Sequence, residues 1–177
     1  MKLGRSLLYL SVLAPCLAQA PRGPNIEAQR TAMKKLDFLA GTWSGDVRVH
    51  MGPGNPMELT QTEEVQYKLD GLVLLIEGAG RNKTDGKPVF RALATVSFDE
   101  EAGQYRMRAY NNGRYMDTEL KLPESGKGFT WGFAMGPNQM SYVMTINDKG
   151  EWTETGDMTM PGQPARRIVE LNVRRQK

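Results

Sequence analysis

One histidine, His50, and one cysteine, Cys16, bound the side-chain chemistry open to this chain. A lone histidine cannot build a metal site, and no His-x-x-x-His or similar spacing occurs. Hydrolysis by a Ser-His-Asp set would need the same His50. Ser44 lies close to Asp46, but no Gly-x-Ser-x-Gly elbow accompanies it. Gly78-Ala79-Gly80 follows an apolar run yet opens no helix, so it lacks the context of a phosphate-cradling loop. The adjacent acids Glu63-Glu64 and Glu100-Glu101 fall on opposite faces of a strand or in a turn and read as solvated. No catalytic residue and no cofactor are assigned, and the chain reads more as a binding protein than as an enzyme.

The methionines carry more information. There are eleven, most of them from Met107 onward. Strand alternation places Met140, Tyr142, Met144 and Ile146 on one face, and Phe129, Trp131, Phe133 and Met135 on one face of the preceding segment. Two readings stay open. These residues form an ordinary packed core, or they form the adaptable apolar wall of a ligand cavity, because thioethers re-pack around varied shapes. Met158-Thr159-Met160 is a Met-x-Met of the kind that binds Cu(I), but a single turn-adjacent pair assigns no metal.

Arg106, Arg108 and Tyr110 share a face. Pointing inward, the two guanidinium groups would demand an anion; the outward, solvated reading is preferred. Arg167 alternates with Val169, Leu171 and Val173, which places it at a cavity mouth with either Glu154 or a ligand as partner. The residues expected to meet a ligand are Trp43, Tyr105, Met107, Trp131, Met140, Tyr142, Met144 and Arg167.

The elements that must position these residues are short. A chain of 177 residues suits one domain with a sizeable core. Nineteen glycines and ten prolines between short apolar runs favour an all-β architecture. The good helical window is 26–39, where Ala28, Ala32, Leu36 and Leu39 recur near helical spacing. Asn25 is its expected N-cap and Gly41 its expected stop. From Trp43 onward, turn signals such as Asp70-Gly71, Asn112-Gly113 and Asn147-Asp148-Lys149-Gly150 separate about ten strands. Short loops make the order a meander, and a meander of this length removes its edges most simply by closing into a barrel.

Residues 1–20 read as a signal peptide. Lys2 and Arg5 supply the positive region, 7–17 the apolar region, and Ala18-Gln19-Ala20 the small-x-small cleavage signal. The apolar region is too short for a stable membrane anchor. Residues 21–35 then form a polar lead and the start of the helix, and 36–177 the barrel. Cleavage after Ala20 removes Cys16, so the exported chain has no disulfide and no thiolate site. It would be periplasmic or extracellular. Its formal charge of +3 falls by two once Lys2 and Arg5 leave, which is no footprint for nucleic acid. The basic end, Arg174-Arg175-Gln176-Lys177, reads as a solvated tail. Oligomeric state stays open.

The helix running into Leu39-Ala40-Gly41-Thr42-Trp43-Ser44-Gly45, followed by the meander, resembles the calycin superfamily of lipocalins, fatty-acid-binding proteins and nitrobindin-like haem barrels. The LxGxWxG opening at residues 39–45, the Met51-Gly52-Pro53-Gly54 loop and the hairpin from Phe98 to Tyr105 are closer to lipocalin-like bacterial domains of unknown function. The resemblance implies a ten-stranded up-and-down barrel with one N-terminal helix, plugged at one end by Trp43. It also implies a small apolar or amphipathic ligand inside. There are departures from the pattern. The late strands lack the histidine through which nitrobindin-like proteins hold haem iron. The disulfides of extracellular lipocalins are missing, and residues 51–55 are too few for the helical lid of fatty-acid-binding proteins. The alternative is a packed barrel that acts through its outer surface.

Overall fold

The computed structural model describes residues 23–50, 52–124 and 127–177. The expected leader and Cys16 lie outside them. One helix, α1 (Ile26–Lys34), precedes ten strands: β1 (Gly41–Val49), β2 (Met57–Lys68), β3 (Val73–Asn82), β4 (Pro88–Asp99), β5 (Gln104–Asn111), β6 (Arg114–Leu120), β7 (Gly128–Met135), β8 (Asn138–Ile146), β9 (Trp152–Thr159) and β10 (Arg166–Arg175). They form one antiparallel sheet in the order β6-β5-β4-β3-β2-β1-β10-β9-β8-β7. Pairing of β1 with β10 joins the two ends of the meander. The seam between β6 and β7 is held by a bridge from Lys121 to Thr130, and by Thr118 Oγ1 donating to the Gly132 carbonyl at 2.6 Å. The result is a nearly closed up-and-down barrel.

Asn25 caps α1 as its side-chain type requires, its Oδ1 accepting the Ala28 amide at 3.1 Å. The helix stops at Lys34, earlier than the sequence suggests, and Asp37–Leu39 makes a separate 3-10 turn. The Leu39 carbonyl shows how the chain leaves that turn. A continuing α-helix would offer it to the backbone amide of Trp43; instead the Trp43 indole Nε1 donates to it at 2.8 Å. The side chain replaces the backbone bond and the chain is free to enter β1.

Helix α1 covers one end of the barrel. Met33 and Leu36 are fully buried against Leu39, Trp43, Leu74, Val96, Leu120 and Val173. Two inward tyrosines satisfy its terminal carbonyls: Tyr67 donates to Met33 and Tyr105 to Ala32, each at 2.7 Å. Trp43 meets Trp152 edge-on, with ring centroids 5.7 Å apart. The basic end is no solvated tail. Arg174 and Arg175 belong to β10, and the Arg175 guanidinium lies 4.2 Å over the Trp43 ring. It also donates to the carbonyls of Phe38 and Ala40. The β1–β10 ladder sets Arg175 directly opposite Trp43, two residues beyond the buried Val173, so the two side chains share a face at the barrel end.

Glu151 locks the β8–β9 hairpin to β10. It accepts from Asn147 at 3.0 Å, from Arg174 at 2.6 Å and from Asn172 at 3.4 Å. These donors hold its carboxyl down at about 2, Asn147 contributing most and Arg174 next. A lowered carboxyl stabilises above its unfolded pKa and loses that contribution as pH falls towards the folded value. Glu151→Gln should therefore unfold at lower denaturant than the parent at pH 6, and the two curves should converge near pH 2. Equal midpoints at pH 6 would sink this.

Candidate functional site

The inner face of β2 breaks an apolar series in the middle. Leu59, Val65 and Tyr67 point inward as expected, but Gln61 and Glu63 lie between them on the same face. Both are buried, Gln61 with 1% and Glu63 with 8% of its surface exposed. Gln61 Nε2 donates to Glu63 Oε1 at 2.6 Å. Among the described residues, Gln61 Oε1 has no hydrogen-bond partner. The neighbouring strand makes room for them by omitting side chains. A Cβ on Gly78 would sit 2.8 Å from Glu63 Oε2, and one on Gly80 would sit 2.6 Å from the Phe90 ring and 3.0 Å from Gln61 Oε1. This is the use of the Gly78-Ala79-Gly80 segment.

A second acid enters from β9. Glu154 receives the Trp131 indole N–H at 3.0 Å and the Trp152 indole N–H at 3.3 Å, one on each oxygen. Trp131 stacks on Tyr142 with centroids 4.0 Å apart and planes 8° from parallel, and Phe133 continues the stack. Gly156 again supplies space, since a Cβ there would lie 2.5 Å from the Tyr142 ring. On β1, Gly45 stands between Gln61 and Val173 and adds no side chain to the interior.

Burial shapes the proton chemistry. It pushes the Glu63 carboxyl up to about 8, against the lowering effect of the Gln61 bond, and the nearby Glu154 charge raises it further. Glu154 is raised by burial as well, opposed by its two indole donors. Burial lifts Tyr142 to about 12, with Glu154 adding to it. At neutral pH, Glu63 therefore holds its proton.

The interior around these groups is open. Ile76, Ala92, Ala94, Trp131, Tyr142 and Glu154 point inward, yet each is only half-buried. A packed barrel would cover them as fully as it covers Val65, Leu74 and Val96 near α1. Beyond β3 the inner face of the sheet carries small side chains, Ala92 and Ala94 on β4 and Ala109 on β5.

Sequence reasoning placed several residues around this space. Trp131 and Tyr142 touch the acid cluster, and Met140 and Met144 flank Tyr142 on β8, both buried. Met107 is buried on β5, while Trp43 and Tyr105 belong to the base under α1. Arg167 is elsewhere. A bulge between Arg167 and Val169 resets the alternation, so Arg167 pairs with Asp157 on the outer face at 2.6 Å and does not reach Glu154. Arg106 and Arg108 also face out. Arg108 binds Asp117 through two hydrogen bonds, at 2.6 and 2.8 Å, and lies over Tyr115. His50 meets Glu170 at 3.0 Å on the outside, roughly 20 Å along the strand from Ser44. Sequence reasoning missed Gln61 and Glu63, reading Glu63 as solvated, and saw Glu154 only as a partner for Arg167. The available signal was the position of Gln61 and Glu63 on the same face as Leu59 and Val65.

Fold and site together define an up-and-down barrel with an apolar plug at one end and a buried acid-and-amide cluster in its middle. The chain belongs to the family described as protein of unknown function (DUF1579), whose profile matches residues 28–175. Among solved structures it is similar to the crystal structure of Rv2717c from M. tuberculosis, at a TM-score of 0.62 and 16% identity. That match covers 82% of this chain and 98% of the other, and at this identity the likeness is one of fold. A search of the curated proteins found no match.

Proposed function

We propose that this is an exported barrel that carries a small, largely apolar or amphipathic molecule in its interior. The observation behind the proposal is the half-buried inward face at mid-barrel, where aromatic rings and a few convergent polar groups surround open space. The polar groups would orient the ligand and the methionines of β8 would adapt to its shape.

The test uses N-phenyl-1-naphthylamine, a neutral apolar fluorophore that brightens out of water. The purified chain should enhance its emission with saturable one-to-one stoichiometry. Ala94→Trp, which projects an indole into the open middle, should weaken this at least tenfold while the protein stays folded by circular dichroism. If the parent gives no enhancement, or if Ala94→Trp unfolds the barrel by overpacking it, the interior is filled and the proposal fails. Export is tested separately, by the presence of the shortened chain in the periplasmic or culture fraction.

A further inference from the structure

We infer that the molecule carried is an organic cation, a protonated amine on an apolar body, seated with its ammonium between Glu63 and Glu154 and its body along the Trp131–Tyr142 stack. The inference rests on the ligand-binding reading above and adds the charge and the seat.

The argument starts from which atoms lack partners. Among the described residues, Gln61 Oε1 is buried and unpartnered and Glu63 Oε2 accepts no hydrogen bond. Both oxygens of Glu154 meet indole N–H groups only. Acceptor oxygens of Gln61, of Glu154 and, once ionised, of Glu63 converge here, and among the described residues no lysine or arginine salt-bridges either acid. Ionising two inward carboxyls without a cation is costly, so Glu63 stays neutral until a donor with positive charge supplies the complement. An ammonium has three N–H donors and no acceptor, which matches Gln61 Oε1 and the two acids. The electron-rich Trp131–Tyr142 stack next to them favours a cation over a neutral group of the same size.

Binding is coupled to a proton. Below pH 8 the Glu63 carboxyl is protonated, so R–NH3⁺ enters as Glu63 releases its proton to solvent and becomes the carboxylate counter-ion. The groups that face Glu63 are Trp43 from β1, Gly78 from β3, Gln61 on β2 and Glu154 across the interior, with Tyr142 near Glu154. Only Glu154 and Tyr142 of these titrate. Tyr142 is raised to about 12 and keeps its proton. Affinity for the amine therefore rises with pH up to about 8, then falls when an alkyl ammonium itself loses its proton near ~10.4.

The experiment displaces bound N-phenyl-1-naphthylamine with decylamine, 1-decanol and decanoate, three chains of equal length and different charge. At pH 8 decylamine should displace the probe at a concentration at least tenfold lower than either of the others. That preference should shrink by up to tenfold for each unit of pH below 8. Calorimetry in two buffers of different ionisation enthalpy should count close to one proton released per decylamine at pH 6.5. In Glu63→Gln combined with Glu154→Gln, the ratio of decylamine to decanol affinity should fall to near one. Probe binding with decanol or decanoate displacing as well as decylamine overturns the inference and leaves the cavity reading standing. Absence of probe binding overturns both.

Discussion

Glu63→Gln should make the protein more stable at neutral and alkaline pH, by roughly 4 kcal/mol at pH 8. The carboxyl has a pKa near 4.5 in the unfolded chain and about 8 in the fold. Between these values the unfolded state has released the proton and the folded state retains it. The folded state then binds more protons, so stability is full below about 4.5 and is lost as pH rises towards 8. Above that value the loss is complete and the curve is flat with respect to this group. Glutamine keeps the shape and the hydrogen bond to Gln61 but does not titrate. Denaturant unfolding of the parent at pH 4.5, 6 and 8 should show the decline, and the variant should lack most of it. Glu154, also raised by burial, supplies a further decline in the same direction that survives the substitution. A parent whose stability is flat over this range would mean that Glu63 is ionised and paired in solution. A substitution that gains stability while losing amine affinity would show that the acid is kept for binding at a cost to the fold.

Trp43→Ala should cost about 3–5 kcal/mol, the usual range for deleting a large aromatic from a core. In a domain of this size it lowers the melting temperature by about 10 °C. Trp43 is 1% exposed, it meets Trp152 edge-on, and its indole N–H replaces the backbone bond that ends the helical segment. Trp43→Phe keeps a ring and loses the bond to Leu39, and should cost about 1–2 kcal/mol. Arg175→Met removes the stacked cation and its bonds to Phe38 and Ala40, at about 1–2 kcal/mol. Combined with Trp43→Ala it should cost less than the sum, because the ring that the guanidinium covers is already gone. Strict additivity would mean that the arginine works through the carbonyls alone. Thermal melts followed by circular dichroism of the two single variants and the double variant decide it.

The barrel itself was legible in the chain. Turn residues at Asp70-Gly71, Asn112-Gly113 and Asn147 to Gly150 delimit strands too short to be helices, and period-two alternation sorts Trp43, Gly45, Val47 and Val49 to one face. Both signals are local, as is the capping of α1 by Asn25. Where they stop being local they fail. Alternation assumes one residue per step, and the bulge before Val169 sends Arg167 outside. A pair of adjacent acids reads as solvent-facing until β1 and β3 are seen to put Trp43 and Gly78 beside Glu63.

The class of fold, the strand count and the apolar side of most strands are written in the order of the residues. Each follows from backbone geometry and from the water-avoiding pattern along a few residues. Only the tertiary structure decided what the interior is for. Gln61 and Glu63 on β2, Glu154 on β9 and the Trp131–Tyr142 stack on β7 and β8 are brought together when β1 pairs with β10. Their burial and the lift in their proton affinity exist only once that pairing takes water away from them.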